Sequence, residues 1–130
     1  GGTNHRISLS AEGLIKDNHI LASGGITAAF KALKDKFPGK PIEVEVDSLE
    51  QLTEAVNAGA QLILLDNMSP EQCKQAVAQV AGKAKLEASG GITLENAKAY
   101  ADSGVDFLAI GALTHSSPAL DIALDFRKGK

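Results

Sequence analysis

The sequence has 130 residues, a formal net charge of −3, 44% hydrophobic residues and 22% charged residues. That length allows one domain at most, able to bury roughly two-thirds of its unfolded surface, and the composition excludes a disordered chain. The acidic balance excludes a global polyanion-binding surface, so no nucleic-acid partner is expected and any anion site must be local.

No apolar run approaches the roughly 18 residues of a membrane span, and no signal-peptide pattern opens the chain, so no membrane association is expected. The single Cys73 has no internal disulfide partner, which suits a reducing cytoplasm. The chain begins inside a polar motif without Met and is expected to be a piece of a longer protein.

The opening stretch, GGTNHRISLSAEGLIKDNH, gathers His5, Arg6, Lys16 and His19 against Glu12 and Asp17. LIK reads as a short buried strand that runs into a polar loop at DNH. Cations emerging from a strand end suit an acidic small molecule. Five apolar runs follow the strand pattern: Leu14–Lys16, Ile42–Val46, Leu62–Leu65, Lys85–Ala88 and Phe107–Ile110. Their starts lie roughly twenty to thirty residues apart, the length of a βα unit in a parallel sheet.

Helical patterns fill the gaps. Ser48-x-x-Gln51 and Ser69-Pro70-Glu71-Gln72 read as capping boxes, the second with Pro at the first helical position. Thr93 is expected to cap the next helix, and Gly39, Gly59, Gly82 and Gly104 sit where helices should stop. Cys73, Ala76, Val77 and Val80 form a helical stripe, which makes Cys73 a core residue. AGAQLILLDN and SGVDFLAIGA repeat one helix-stop, turn, strand grammar. Repetition of that unit favours a parallel (β/α) barrel over a doubly wound sheet. A full barrel has about eight strands, so about five βα units make an incomplete one.

Ligands of such barrels bind at the carboxyl ends of the strands. IEVEVD alternates, placing Glu43, Glu45 and Asp47 on one face and Val44 and Val46 on the other. Buried carboxylates need partners. Here these are Lys16 in an interior ion pair, or a divalent metal with a polyhydroxylated substrate. Asp66 ends the third strand, as a turn residue or as a second carboxylate beside Glu45. Hard oxygen donors of this kind suit magnesium.

Ser89-Gly90-Gly91 follows the fourth strand and is expected to open a helix, so that backbone N–H groups and the helix dipole grip a phosphate. Gly111 after the fifth strand completes that grip, and His115 either caps the site or faces solvent. Arg6 suits bidentate carboxylate binding, Lys16 serves as a point charge, and His5 donates a hydrogen bond or packs structurally. A Schiff-base lyase using Lys16 and a non-catalytic structural fragment are the competing readings.

The segments GGTNHR and LIKDNH resemble the GG-x-NHR…LIK-[DE]-NH signature of the quinolinate phosphoribosyltransferase family, and the resemblance covers essentially the whole chain. It departs at Ala11, where the family carries Asp. The resemblance implies the later part of a barrel domain that follows an N-terminal α/β domain and early barrel strands. It implies phosphoribosyl transfer from phosphoribosyl diphosphate to quinolinate, with decarboxylation, in NAD synthesis. It further implies a quinolinate site at His5, Arg6 and Lys16, and a phosphoribosyl diphosphate site at Glu45, Asp66, Ser89, Gly90, Gly91, Gly111 and His115. Magnesium sits near Glu45 and Asp66 in that picture, and the whole protein is a homodimer or higher homo-oligomer.

Overall fold

A computed structural model describes residues 2–5, 8, 10–114, 120, 122 and 124. Within it the strands β1 (Gly13–Ile15), β2 (Ile42–Val46), β3 (Leu62–Asp66), β4 (Lys85–Ser89) and β5 (Phe107–Leu108) form one sheet. All four pairings are parallel, and the spatial order is the sequence order. A doubly wound sheet reverses its strand order at a switch point. Here no reversal occurs, so the sheet is a sector of barrel wall.

The connections carry α1 (Asp17–Ser23) and α2 (Ile26–Lys36) after β1, then α3 (Leu49–Ala58), α4 (Pro70–Val80) and α5 (Ala97–Asp102) after β2, β3 and β4. Alternate strand residues Val44, Val46, Ile63, Leu65, Leu86 and Ala88 are buried in one cluster with Phe30, Leu52, Cys73, Ala76 and Val80 of the helices. Each buried Val, Leu or Ile of that layer contributes about 1.5–3 kcal/mol relative to exposure. This one-sided core holds the strand ends in place.

Local chemistry explains most element boundaries. Ser69 and Gln72 make both halves of a capping box: Gln72 N–H donates to Ser69 Oγ at 3.2 Å, and Ser69 N–H donates to Gln72 Oε1 at 2.9 Å. Ser48 makes half of one, since Gln51 Oε1 accepts from Asp47 N–H instead. The stripe of α4 is confirmed, with Cys73, Ala76 and Val80 buried.

Several expectations are corrected. DNH is no loop; it opens α1, because His19 turns its Nδ1 back to accept Lys16 N–H at 3.0 Å. The ring therefore serves here to accept a backbone N–H at the helix end. Gly39 does not stop α2, which already ends at Lys36 with Phe37 as its C-cap. Thr93 does not cap α5. Asn96 Oδ1 accepts from Thr93 N–H at 2.8 Å, holding a turn that delays the helix to Ala97. The first strand lies one residue earlier than the pattern suggests, and the fifth stops at Leu108.

Candidate active site

The face of the sheet opposite the helices carries the polar residues in layers. Register places Leu14, Glu43, Leu62 and Lys85 side by side, then Glu45, Leu64, Glu87 and Phe107, then Asp66 beside Ser89. Exposure rises toward the carboxyl edge: Glu43 is fully buried, Glu45 is half-buried and Asp47 is exposed. The alternation of IEVEVD is thus realised as a ladder of acids climbing to the strand ends.

Two buried acids of this face, Glu43 and Glu87, are met from the N-terminal segment. His5 Nε2 lies 3.4 Å from Glu43 Oε2, and His5 Nδ1 lies 3.6 Å from Glu87 Oε1. An imidazole offers donors at both nitrogens only as the cation. Among the described residues, His5, Glu43 and Glu87 bring their ligand-capable atoms within 4.8 Å of one another. Glu45 and Asp66, expected at a metal position, do not belong to that trio.

Lys16 pairs with Glu45, not with Glu43: its Nζ lies 3.2 Å from Glu45 Oε2. The ion pair expected of Lys16 therefore forms one layer higher than the most buried carboxylate and near the surface rather than in the interior, because the Lys16 side chain is 51% exposed. Lys16 also lines a cavity with Glu12, Leu14 and His19.

At the carboxyl edge, Asp66 and Ser89 are register partners, and Asn67 N–H donates to Ser89 O at 2.9 Å. Asn67 Nδ2 donates to Asp66 Oδ2 at 2.8 Å. Gly90 follows with φ +96°, and a Cβ there would lie 2.1 Å from Asn67 Oδ1 and 2.9 Å from Asn67 N. Glycine is therefore required at 90 by a neighbour already in place. Gly91 has φ +60° with open space around it.

The loop does not open a helix directly, because α5 starts at Ala97 and spans only 6 residues. The expected helix dipole is absent from this loop, and its anion-binding capacity rests on its backbone N–H groups. Gly111 lies in a 3-10 turn over Gly111–Leu113. A cleft of about 880 Å³ between the N-terminal segment and β5 has His5, Glu87 and Gly111 among its walls. Arg6 and His115 lie outside the described residues.

Two residues of this edge escape the sequence reading. Glu87 had a signal, since Lys85, Glu87 and Ser89 alternate with Leu86 and Ala88 as the acids of β2 do with its valines. Asn67 had none, because its role depends on a loop more than twenty residues away. Below the site, Asp106 takes Lys85 Nζ at 2.6 Å and Leu86 N–H at 2.9 Å. Burial pushes the Asp106 carboxyl up, but these hydrogen bonds and the Lys85 charge outweigh it and hold the group below the usual carboxylate range.

Residues 1–125 match the family model described as quinolinate phosphoribosyl transferase, C-terminal domain. The chain belongs to the quinolinate phosphoribosyltransferase family. Over 128 residues it is 51% identical to a carboxylating nicotinate-nucleotide pyrophosphorylase of Mycobacterium leprae, covering 96% of this chain and 45% of that protein. A probable enzyme of the same name from Bacillus subtilis is 44% identical over 126 residues, covering 96% of this chain and 44% of its own length. The solved nicotinate-nucleotide pyrophosphorylase of Francisella tularensis superposes with a TM-score of 0.85 at 45% identity, covering 88% of this chain and 41% of that one. The chain thus spans less than half the length of the family members it matches, and its five strands are the corresponding sector of their fold.

Proposed function

We propose that this chain supplies the carboxyl-edge half-site for phosphoribosyl transfer from phosphoribosyl diphosphate to quinolinate. The products are nicotinate mononucleotide, carbon dioxide and diphosphate. The observation that carries the reading is the set Glu45, Asp66 and Ser89 on successive strand ends of one face, with Lys16 held against Glu45.

The quinolinate ring nitrogen bonds to the anomeric carbon while the carbon–oxygen bond to diphosphate breaks, its electron pair leaving with diphosphate. Positive charge grows on the sugar, and the Glu45 and Asp66 carboxylates stabilise it in place of solvent. Loss of the 2-carboxyl as carbon dioxide leaves an electron pair on the ring carbon, which takes up a proton. Lys16 and Arg6 orient the acceptor through its two carboxylates, with His5 held beside them by Glu43 and Glu87, so rate comes from positioning and charge rather than from a covalent nucleophile. The Ser89–Gly91 loop offers backbone N–H groups to a phosphate, aided by Gly111 and His115.

Carboxylates at Glu45 and Asp66 fit magnesium by donor chemistry. Bound there, magnesium supplies charge to offset that growing on diphosphate. The site is read as that of a cytoplasmic enzyme acting as a homo-oligomer, in keeping with the buried free thiol of Cys73 and with the family resemblance.

The test is an amide NMR titration of the chain with quinolinate, then with phosphoribosyl diphosphate and magnesium. Shifts at Lys16 with the first ligand, and at Gly90, Gly91 and Gly111 with the second, are expected. A catalytic assay follows on the chain joined to the N-terminal half of the Mycobacterium leprae relative. No phosphoribosyl transfer by that fusion, with no shifts in the isolated chain, refutes the reading.

A further inference from the structure

We infer that Asn67 is a positioning residue that ties the Asp66 carboxylate to the Ser89–Gly90 turn, so that the charge-stabilising acid and the phosphate loop are set as one unit. The inference rests on the function proposed above, and four features carry it. Asn67 holds φ +52°, a left-handed conformation that residues with a side chain seldom adopt, and Asn tolerates it best. Its side-chain amide donates to Asp66 Oδ2 at 2.8 Å. Its backbone N–H donates across to Ser89 O at 2.9 Å. Its Oδ1 occupies the space a side chain at Gly90 would need.

The chemistry suits a support rather than a catalyst. A neutral amide fixes one carboxylate oxygen without cancelling its charge, whereas a lysine there would neutralise the group that must face the developing cation. Asp66 is only half-buried, and the Asn67 amide engages one of its two oxygens. Left-handed backbone at 67 turns the side chain back over Asp66 and, through the same residue's N–H, anchors β3 to the end of β4.

The experiment compares Asn67→Gly, which keeps the left-handed backbone and removes the amide, with Asn67→Asp, which replaces the donor by a like charge beside Asp66. In the 130-residue chain, Asn67→Gly should melt within about 3 °C of wild type, because glycine relieves the backbone while the amide bonds are lost. Its Gly90 and Gly91 amides should shift and exchange faster. In the fusion described above, kcat/KM for phosphoribosyl diphosphate should fall about 10–100-fold, as for loss of an outer support, with KM for quinolinate within about twofold. Asn67→Asp should lose more. A purely structural asparagine would lower both substrates' constants together with the melting temperature.

Unchanged Gly90 amides, or full kcat/KM for phosphoribosyl diphosphate in Asn67→Gly while Asp66→Asn is impaired, overturn the inference and leave the proposed function standing. A wild-type fusion that transfers no phosphoribose, with no ligand shifts in the isolated chain, overturns the proposed function and the catalytic part of the inference with it. The amide spectra then judge the structural tie by itself.

Discussion

Replacing Gly90 by alanine places a methyl group where Asn67 already is. Two costs follow from the structure. At φ +96° an L-residue is strained by about 1–2 kcal/mol. The new Cβ also meets Asn67 Oδ1 at 2.1 Å and Asn67 N at 2.9 Å. The side-chain oxygen can rotate away, but the backbone nitrogen is fixed by its bond to Ser89 O, so overpacking adds about 1–3 kcal/mol.

The sum, about 2–5 kcal/mol, is a large part of a typical domain stability of about 5–15 kcal/mol. For a chain of this size each kcal/mol corresponds to roughly 3–5 °C, so Gly90→Ala should melt about 6–25 °C lower. Gly91→Ala is the internal control: at φ +60°, with no atom within 4 Å of its Cβ, it meets strain alone. That variant should lose about 1–2 kcal/mol. Calorimetric melts of the two variants beside wild type make the comparison. Equal losses for both, or a Gly90→Ala loss below about 1 kcal/mol, would refute the packing argument.

Ser69→Ala removes the complete capping box of α4 and should cost about 1 kcal/mol in urea unfolding, more than Ser48→Ala, whose box is half-made. Leu52→Ala empties a fully buried site in α3 and should cost about 2–5 kcal/mol. Burial, then the nearby Glu71, pushes the Cys73 thiol up, so iodoacetamide at pH 8 should label it only as fast as the chain opens; rapid labelling of the folded chain would contradict its burial. Asp106 has a depressed carboxyl pKa when folded, so its contribution is present above the unfolded value of about 3.9 and lost as pH falls through the folded one. Asp106→Asn should therefore flatten the acid limb of the melting curve below about pH 4. The effect should be under about 1 kcal/mol, because the pair lies at the surface. An unchanged acid limb would remove the Lys85 pair from the stability of the chain.

Periodicity and punctuation determined much of this protein. Strict alternation in IEVEVD placed the acids on one face and the valines on the other, because a strand has a period of two whatever surrounds it. The Ser69–Gln72 box and the stripe through Cys73 were legible for the same reason: both are interactions within a few residues. The GGTNHR and LIKDNH segments carried the family, and the parallel barrel wall with it. What failed at close range failed where a side chain reached back unexpectedly. His19 converts an apparent loop into α1, and Asn96 delays α5 past Thr93.

Only the tertiary structure decided which charge meets which. His5 reaches Glu43 and Glu87 on strands β2 and β4, while Lys16 takes Glu45, and no sequence spacing encodes that choice between two acids on one strand face. The start of α2 has no cap of its own at Gly25. Its Thr27 N–H is satisfied by Glu54 from α3, at 2.9 Å. Gly90 looked like a residue placed for phosphate. The fold adds that it must be bare because Asn67, held in a left-handed turn one strand away, fills the space a side chain would take. Local patterns specify what each strand and helix is, since their hydrogen bonds close within a turn or a pleat. Contacts between neighbouring strand ends depend on register, and register is set by the whole buried layer.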